Sequence, residues 1–116
     1  MNQKGKSLQL REQSQWQFVV RSRLGIAVRT TKGYWALITT VKHPTLAGKE
    51  QAVIRTLIEP DQVRKSRSDD SVYLFYRKTG KRYLCVVTKK VEVGKAFIIT
   101  AYVTENIKEG HVIWKK

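Results

Sequence analysis

The sequence predicts an α+β domain in which two N-terminal helices pack on a four- to five-stranded antiparallel sheet. Three observations predict it: apolar residues recur at helical spacing between Tyr34 and Ile58, the period switches to two after Pro60, and short turns join the alternating runs that follow. With 116 residues and 41% hydrophobic composition, the chain suits one domain with a modest core anchored by Trp35, Phe75, Phe97 and Trp114. Residues 1–14 are polar and read as a disordered basic tail, leaving 15–116 as the single folded domain.

The elements follow in order. Trp16, Phe18 and Val20 alternate with Gln17, Val19 and Arg21, and Ile26 to Thr30 is also extended in character, so a short hairpin is expected around Leu24-Gly25. Tyr34 to Lys42 carries two signals. Tyr34, Leu37, Ile38 and Val41 fall at i, i+3, i+4 and i+7, whereas Thr39-Thr40 and the aromatics favour a strand. Pro44 provides a clean stop and selects the helix. On that helix His43 points away from the apolar stripe and out of the core.

Gly48 to Ile58 forms the second expected helix, with Val53/Leu57 and Ile54/Ile58 as i, i+4 pairs and Glu59-Pro60 as its end. Val63–Ser66, Val72–Arg77, Tyr83–Lys89 and Ala96–Thr104 read as four strands, and His111–Trp114 as a fifth. Thr79-Gly80 and Val93-Gly94 mark turns, so consecutive strands should pair antiparallel.

The formal net charge is +14, and it is unevenly spread. Residues 1–33 hold seven Lys/Arg against Glu12 alone, and residues 77–90 hold six with no acid. Such an excess draws in polyanions with an affinity that falls as salt rises, which fits RNA or DNA. A membrane surface fits less well, because no basic segment is also a long amphipathic helix. Cys85 is the single cysteine, which excludes an intramolecular disulfide and paired-cysteine metal sites. In the apolar run Leu84-Cys85-Val86-Val87 it reads as a buried, inert thiol. The N-terminus lacks the apolar stretch of a signal peptide, so a cytoplasmic location is expected.

Three segments carry candidate chemistry. In the Ala96–Thr104 strand, alternation sends Phe97, Ile99, Ala101 and Val103 to an apolar face that should meet the helices. Thr100, Tyr102 and Thr104 then form a row of hydroxyls able to orient phosphate or ribose, though threonine and tyrosine are also plain strand formers. The Arg64-Lys65-Ser66-Arg67-Ser68-Asp69-Asp70 stretch joins guanidinium forks, which match phosphate geometry, to small hydroxyls; it reads equally as a solvated loop. His43, one of two histidines, can accept or donate a proton near neutral pH, as cleavage of RNA generally requires. Lys42, Ser66, Arg67, Arg77, Lys89 and Thr104 are the expected nucleic-acid contacts around these groups, and Tyr73, Tyr76 and Tyr83 offer rings for stacking. The acids are scattered, so no metal site and no cofactor are expected.

The ordered series Lys42-His43-Pro44, Gly48-Lys49-Glu50, Glu59-Pro60-Asp61, Arg64-Lys65-Ser66-Arg67-Ser68, Val72-Tyr73-Leu74-Phe75-Tyr76 and Thr100-Ala101-Tyr102 resembles the barnase–EndoU–colicin–RelE-like nuclease superfamily, in particular its phage-associated and uncharacterised members. The resemblance covers about residues 34–114. It implies a metal-independent endoribonuclease, a toxin or phage-derived effector, that uses the RNA 2′-hydroxyl as nucleophile. By resemblance His43 is the general acid/base, Arg64 or Arg67 the phosphate clamp, and Thr100 with Tyr102 the strand residues beside the scissile bond. RNA is the implied partner, with an acidic antitoxin or immunity protein as a second. A non-catalytic RNA- or DNA-binding module and a domain docking an acidic protein are the alternatives.

Overall fold

The computed structural model describes residues 15–116; the basic tail expected over residues 1–14 lies outside them. An N-terminal hairpin, β1 (Trp16–Arg21) and β2 (Ala27–Thr31), turns at Gly25, whose positive φ a side chain would strain. The chain then enters α1 (Lys32–Leu37), where the Thr31 hydroxyl accepts from the Tyr34 backbone N–H as an N-cap. Without a break α1 widens into a π-helical segment, Ile38–Lys42, which closes where the His43 N–H donates to the Ile38 carbonyl. Pro44 opens a single 3₁₀ turn to Leu46, and α2 (Glu50–Ile58) follows. Five strands complete the chain: β3 (Gln62–Lys65), β4 (Val72–Thr79), β5 (Arg82–Glu92), β6 (Lys95–Thr104) and β7 (His111–Lys115).

The sheet corrects the expected fold class. It has seven strands, not four or five, in the order β1-β2-β6-β5-β4-β3-β7, and it is mixed, because β2 runs parallel to β6 over Ala27–Arg29 and Lys95–Phe97. Strand accounts for 48% of the structure and the two helices are short, so the molecule is a sheet with helical cover rather than two helices on a small sheet. The physical reason is non-local pairing. Turn residues announce hairpins between neighbouring strands, but nothing local marks a parallel pair whose partners lie some seventy positions apart. For the same reason β7 returns to pair with β3 at the far edge instead of extending from β6.

One face of the sheet carries the core. Val63, Phe75, Val86 and Ala101 lie in register across β3, β4, β5 and β6. They pack with Val53 and Leu57 of α2, Leu46, Ile38 and Trp35. Only part of the anticipated stripe on the first helix reaches this core: Ile38 is buried, whereas Val41 is 70% exposed and Trp35 takes the inward place. The widened turn rotates residues after Ile38 off an ideal 100° step, which displaces Val41 outward.

The alternation assumed for β6 is also broken. Val87 pairs with Thr100 but Thr88 pairs with Ile98, so Ile99 is a β-bulge. The bulge shifts every residue before it to the opposite face. Ile98 is thereby buried and Phe97 turned outward, the reverse of the uniform pattern. The second, outward face is partly covered by the loop from Glu105 to Gly110, where Ile107 packs on Leu74, Tyr76 and Cys85.

Candidate functional site

The register places Arg64, Leu74, Val87 and Thr100 in one row across β3, β4, β5 and β6, and Gln62, Tyr76, Cys85 and Tyr102 in the next. Cross-strand partners share a face, so Arg64, Thr100 and Tyr102 all project to the outward side of the sheet. β2 leaves β6 after Phe97, and the α1–π-helix segment occupies that vacated edge. There the Tyr34 hydroxyl donates to the carbonyl of the bulged Ile99, and Lys42 Nζ lies 2.9 Å from the same hydroxyl and 3.4 Å from the same carbonyl. The end of the segment delivers His43 onto Tyr102, with ring centroids 6.0 Å apart and planes inclined by 37°. His43 is half-buried by this contact rather than turned fully to solvent.

Tyr102, itself half-buried, heads a row whose other members, Cys85 and Tyr76, are fully buried. Its cross-strand neighbour is Cys85, which in turn faces Tyr76. Burial pushes the Cys85 thiol up to about 12, and burial beside that thiol raises the Tyr102 and Tyr76 hydroxyls well above the ordinary phenol range. A phenol shifted upward in this way is neutral near physiological pH, so Tyr102 enters as a hydrogen-bond donor.

The remaining sequence candidates divide. Thr100 lies one position from the His43–Tyr102 contact along the face, but its Oγ1 is buried and makes no hydrogen bond among the described residues. It sits under the surface instead of orienting a phosphate. Arg64 is three strands from Thr100, about 14 Å between backbones at ~4.8 Å per strand. Its guanidinium is engaged, Nη2 with the Gly110 carbonyl at 2.9 Å and Nη1 with Gln62 Oε1 at 3.2 Å. β3 ends at Lys65, so Ser66 and Arg67 lie in the β3–β4 loop and not on the strand face with Arg64. That loop is built around Asp69, whose Oδ1 accepts from the Ser71 N–H and hydroxyl; these bonds hold the carboxyl down at about 2, and Oδ2 lies 3.3 Å from Lys89. Arg77 pairs with Leu84 and faces the helical side, away from Tyr102. Thr104 bonds the backbone of Asn106 and caps its own turn.

The site thus consists of His43, Tyr102 and Lys42 at the β6 edge, with Tyr34 bracing Lys42. Tyr34 was visible in the sequence only as an apolar helix position; its hydroxyl acquires a partner because the bulge offers the Ile99 carbonyl. Among the described residues no three His, Cys, Asp or Glu side chains are grouped to hold a metal ion. No helix among them is long and apolar enough to cross a membrane. In comparisons with known proteins, no family model, curated protein or solved structure matches the chain.

Proposed function

We propose that this protein cleaves RNA as a metal-independent endoribonuclease, with the RNA 2′-hydroxyl as nucleophile and His43 as the proton-transfer group. The observation that carries the reading is the contact of His43 with Tyr102 beside Lys42, which places an imidazole, a phenol donor and an ammonium at one edge of a strongly basic molecule. In transesterification the 2′-oxygen bonds to phosphorus as the bond to the 5′-oxygen breaks; the His43 imidazole takes the 2′-hydroxyl proton, and the departing 5′-oxygen takes its proton from the resulting imidazolium or from water. Negative charge builds on the phosphoryl oxygens, where a positioned ammonium and a phenol O–H are stabilising. Lys42 takes the electrostatic role expected of Arg64, whose fork is already occupied by Gly110 and Gln62.

Incubating the purified protein with RNA in EDTA tests this directly. His43→Ala should slow cleavage by about 10²–10⁴-fold, the usual cost of losing a general acid or base. Equal rates for the two proteins would remove His43 from the mechanism.

A second reading is a nucleic-acid-binding module without catalysis. It is favoured by the charge: the described residues carry 20 Lys/Arg but only three ion pairs, all between partly exposed partners. Salt-dependent RNA binding with no cleavage selects it, since each phosphate neutralised adds about 0.7 to the salt slope for a single strand.

A further inference from the structure

An aromatic pair that the mechanism does not use lies on the outward face of β1, β2 and β6. Trp16 and Phe97 stand with ring centroids 5.7 Å apart and planes inclined by 36°. The Arg29 guanidinium lies 5.2 Å from the centre of the Trp16 ring. Arg29 is the parallel partner of Phe97 on β2, and Lys89, which is ion-paired with Asp69, is its antiparallel partner on β5, so a cation flanks the ring on either side. Phe97 is 37% exposed, although the bulge two positions on gives the adjacent Ile98 the buried place.

These rings add little to the core from where they stand. Phe97 borders a groove of about 370 Å³ in the gap where β2 and β6 part, lined also by Thr31, Tyr34, Val91 and Ile99. Tyr34 and the Ile99 carbonyl are the groups that hold Lys42, so the groove runs from Phe97 to the residues that position Lys42. Along β6 the five steps from Phe97 to Tyr102 cover roughly 15–17 Å at ~3.3 Å each.

We propose that the Trp16–Phe97 pair is a stacking platform for unpaired bases, so that the ligand is single-stranded nucleic acid laid along β6 from the platform to His43. The proposal rests on the nucleic-acid reading of the preceding section. The exposed Phe97 ring, set beside the half-buried Trp16 and flanked by cations, suits a base with its phosphates, because every base has a π-face and the flanking charges meet the backbone. A duplex hides those faces within its stack. The span matches up to about five nucleotides at the ~3.4 Å rise of a stacked strand, and fewer if the strand is extended. Arg29 is suited to the phosphate: among the described residues it has no carboxylate partner.

The test separates binding from cleavage. A fluorescent 2′-O-methyl oligonucleotide of about 12 nucleotides, within the range single-strand sites cover, lacks the nucleophile and reports binding alone. Anisotropy is measured for this single strand and for its duplex. Phe97→Leu and Trp16→Leu keep an apolar side chain and remove the ring; each should weaken single-strand binding by about 10-fold or more, within the range of one lost stacking contact. Duplex affinity should stay within about twofold and the salt slope should not change, since no charge is removed. Phe97→Tyr should bind like wild type. Equal weakening of both forms, or no weakening, overturns the platform, whether or not unmodified RNA is cleaved. Loss confined to the single strand, with no cleavage of unmodified RNA, leaves the platform standing and removes the nuclease.

Discussion

Replacing Gly110 with alanine should be the most damaging single-methyl change at any of the positive-φ glycines. Gly110 has φ +75°, and an added Cβ would collide with the Lys65 carbonyl oxygen and sit 3.0 Å from its carbon. Two costs combine: about 1–2 kcal/mol for an alanine held in the left-handed region, and about 1–3 kcal/mol for forcing packed backbone apart. Gly94 separates them. Its φ is nearly the same, +76°, but nothing lies within 4 Å of its Cβ direction. Gly94→Ala should therefore lose only about 1–2 kcal/mol, and Gly110→Ala about 2–5 kcal/mol. At about 4–8 °C per kcal/mol for a domain of this size, the two melting points should differ by roughly 5–20 °C. Urea denaturation of both variants beside wild type gives the energies. If their losses agree within about 0.5 kcal/mol, the near-additivity limit for independent changes, the close approach of Gly110 to β3 is wrong. The Arg64–Gly110 bond and the docking of β7 on β3 would then be wrong with it.

Four further outcomes are expected. Tyr102→Phe keeps the ring that His43 rests on and deletes the donor, so RNA binding should persist while cleavage falls by about 10-fold or more; unchanged cleavage removes the phenol from the mechanism. Cys85, raised to about 12 by burial, should not react with a thiol reagent at pH 8 until denaturant is added. Asp69 is held at about 2 by its Ser71 bonds, so its contribution to stability is complete above the ordinary carboxyl value of about 3.9 and is lost as pH falls toward 2. Asp69→Asn should flatten that acid slope in urea midpoints measured between those values. Leu57→Ala, at a fully buried position beneath the sheet, should cost about 2–5 kcal/mol by chemical denaturation.

Periodicity located most elements closely. The switch from helical spacing to alternation at Pro60 falls where α2 ends and β3 begins, and the Thr79-Gly80 signal marks the β4–β5 turn. The hairpin anticipated around Leu24-Gly25 is present as β1–β2. The fold class nevertheless came out differently, because the hairpin is not an appendage. Val28 and Thr30 turn buried side chains to the same core as α1, and β2 completes the sheet against β6. No local pattern in residues 16–31 states which distant strand they will join.

The candidate site was legible in residue type more than in arrangement. His43, Lys42 and Tyr102 meet; Arg64 shares their face but is spent on Gly110; Ser66, Arg67 and Arg77 lie elsewhere. The hydroxyl row Thr100, Tyr102 and Thr104 keeps its alternation, but a single unpaired residue, Ile99, reversed the faces expected for the β6 side chains before it. That is also why Phe97 read as core and stands on the surface.

By itself the sequence determined the charge, the composition of the core, the helix-stopping proline beside His43 and the isolation of Cys85, because each depends on residue identity or on neighbours a few positions away. Tertiary structure alone decided the parallel β2–β6 pair, the Ile99 bulge, the edge on which His43 meets Tyr102 and the exposure of Phe97 beside a half-buried Trp16. Those features depend on register between strands far apart in the chain, where a shift of one residue turns a side chain from the core to the solvent.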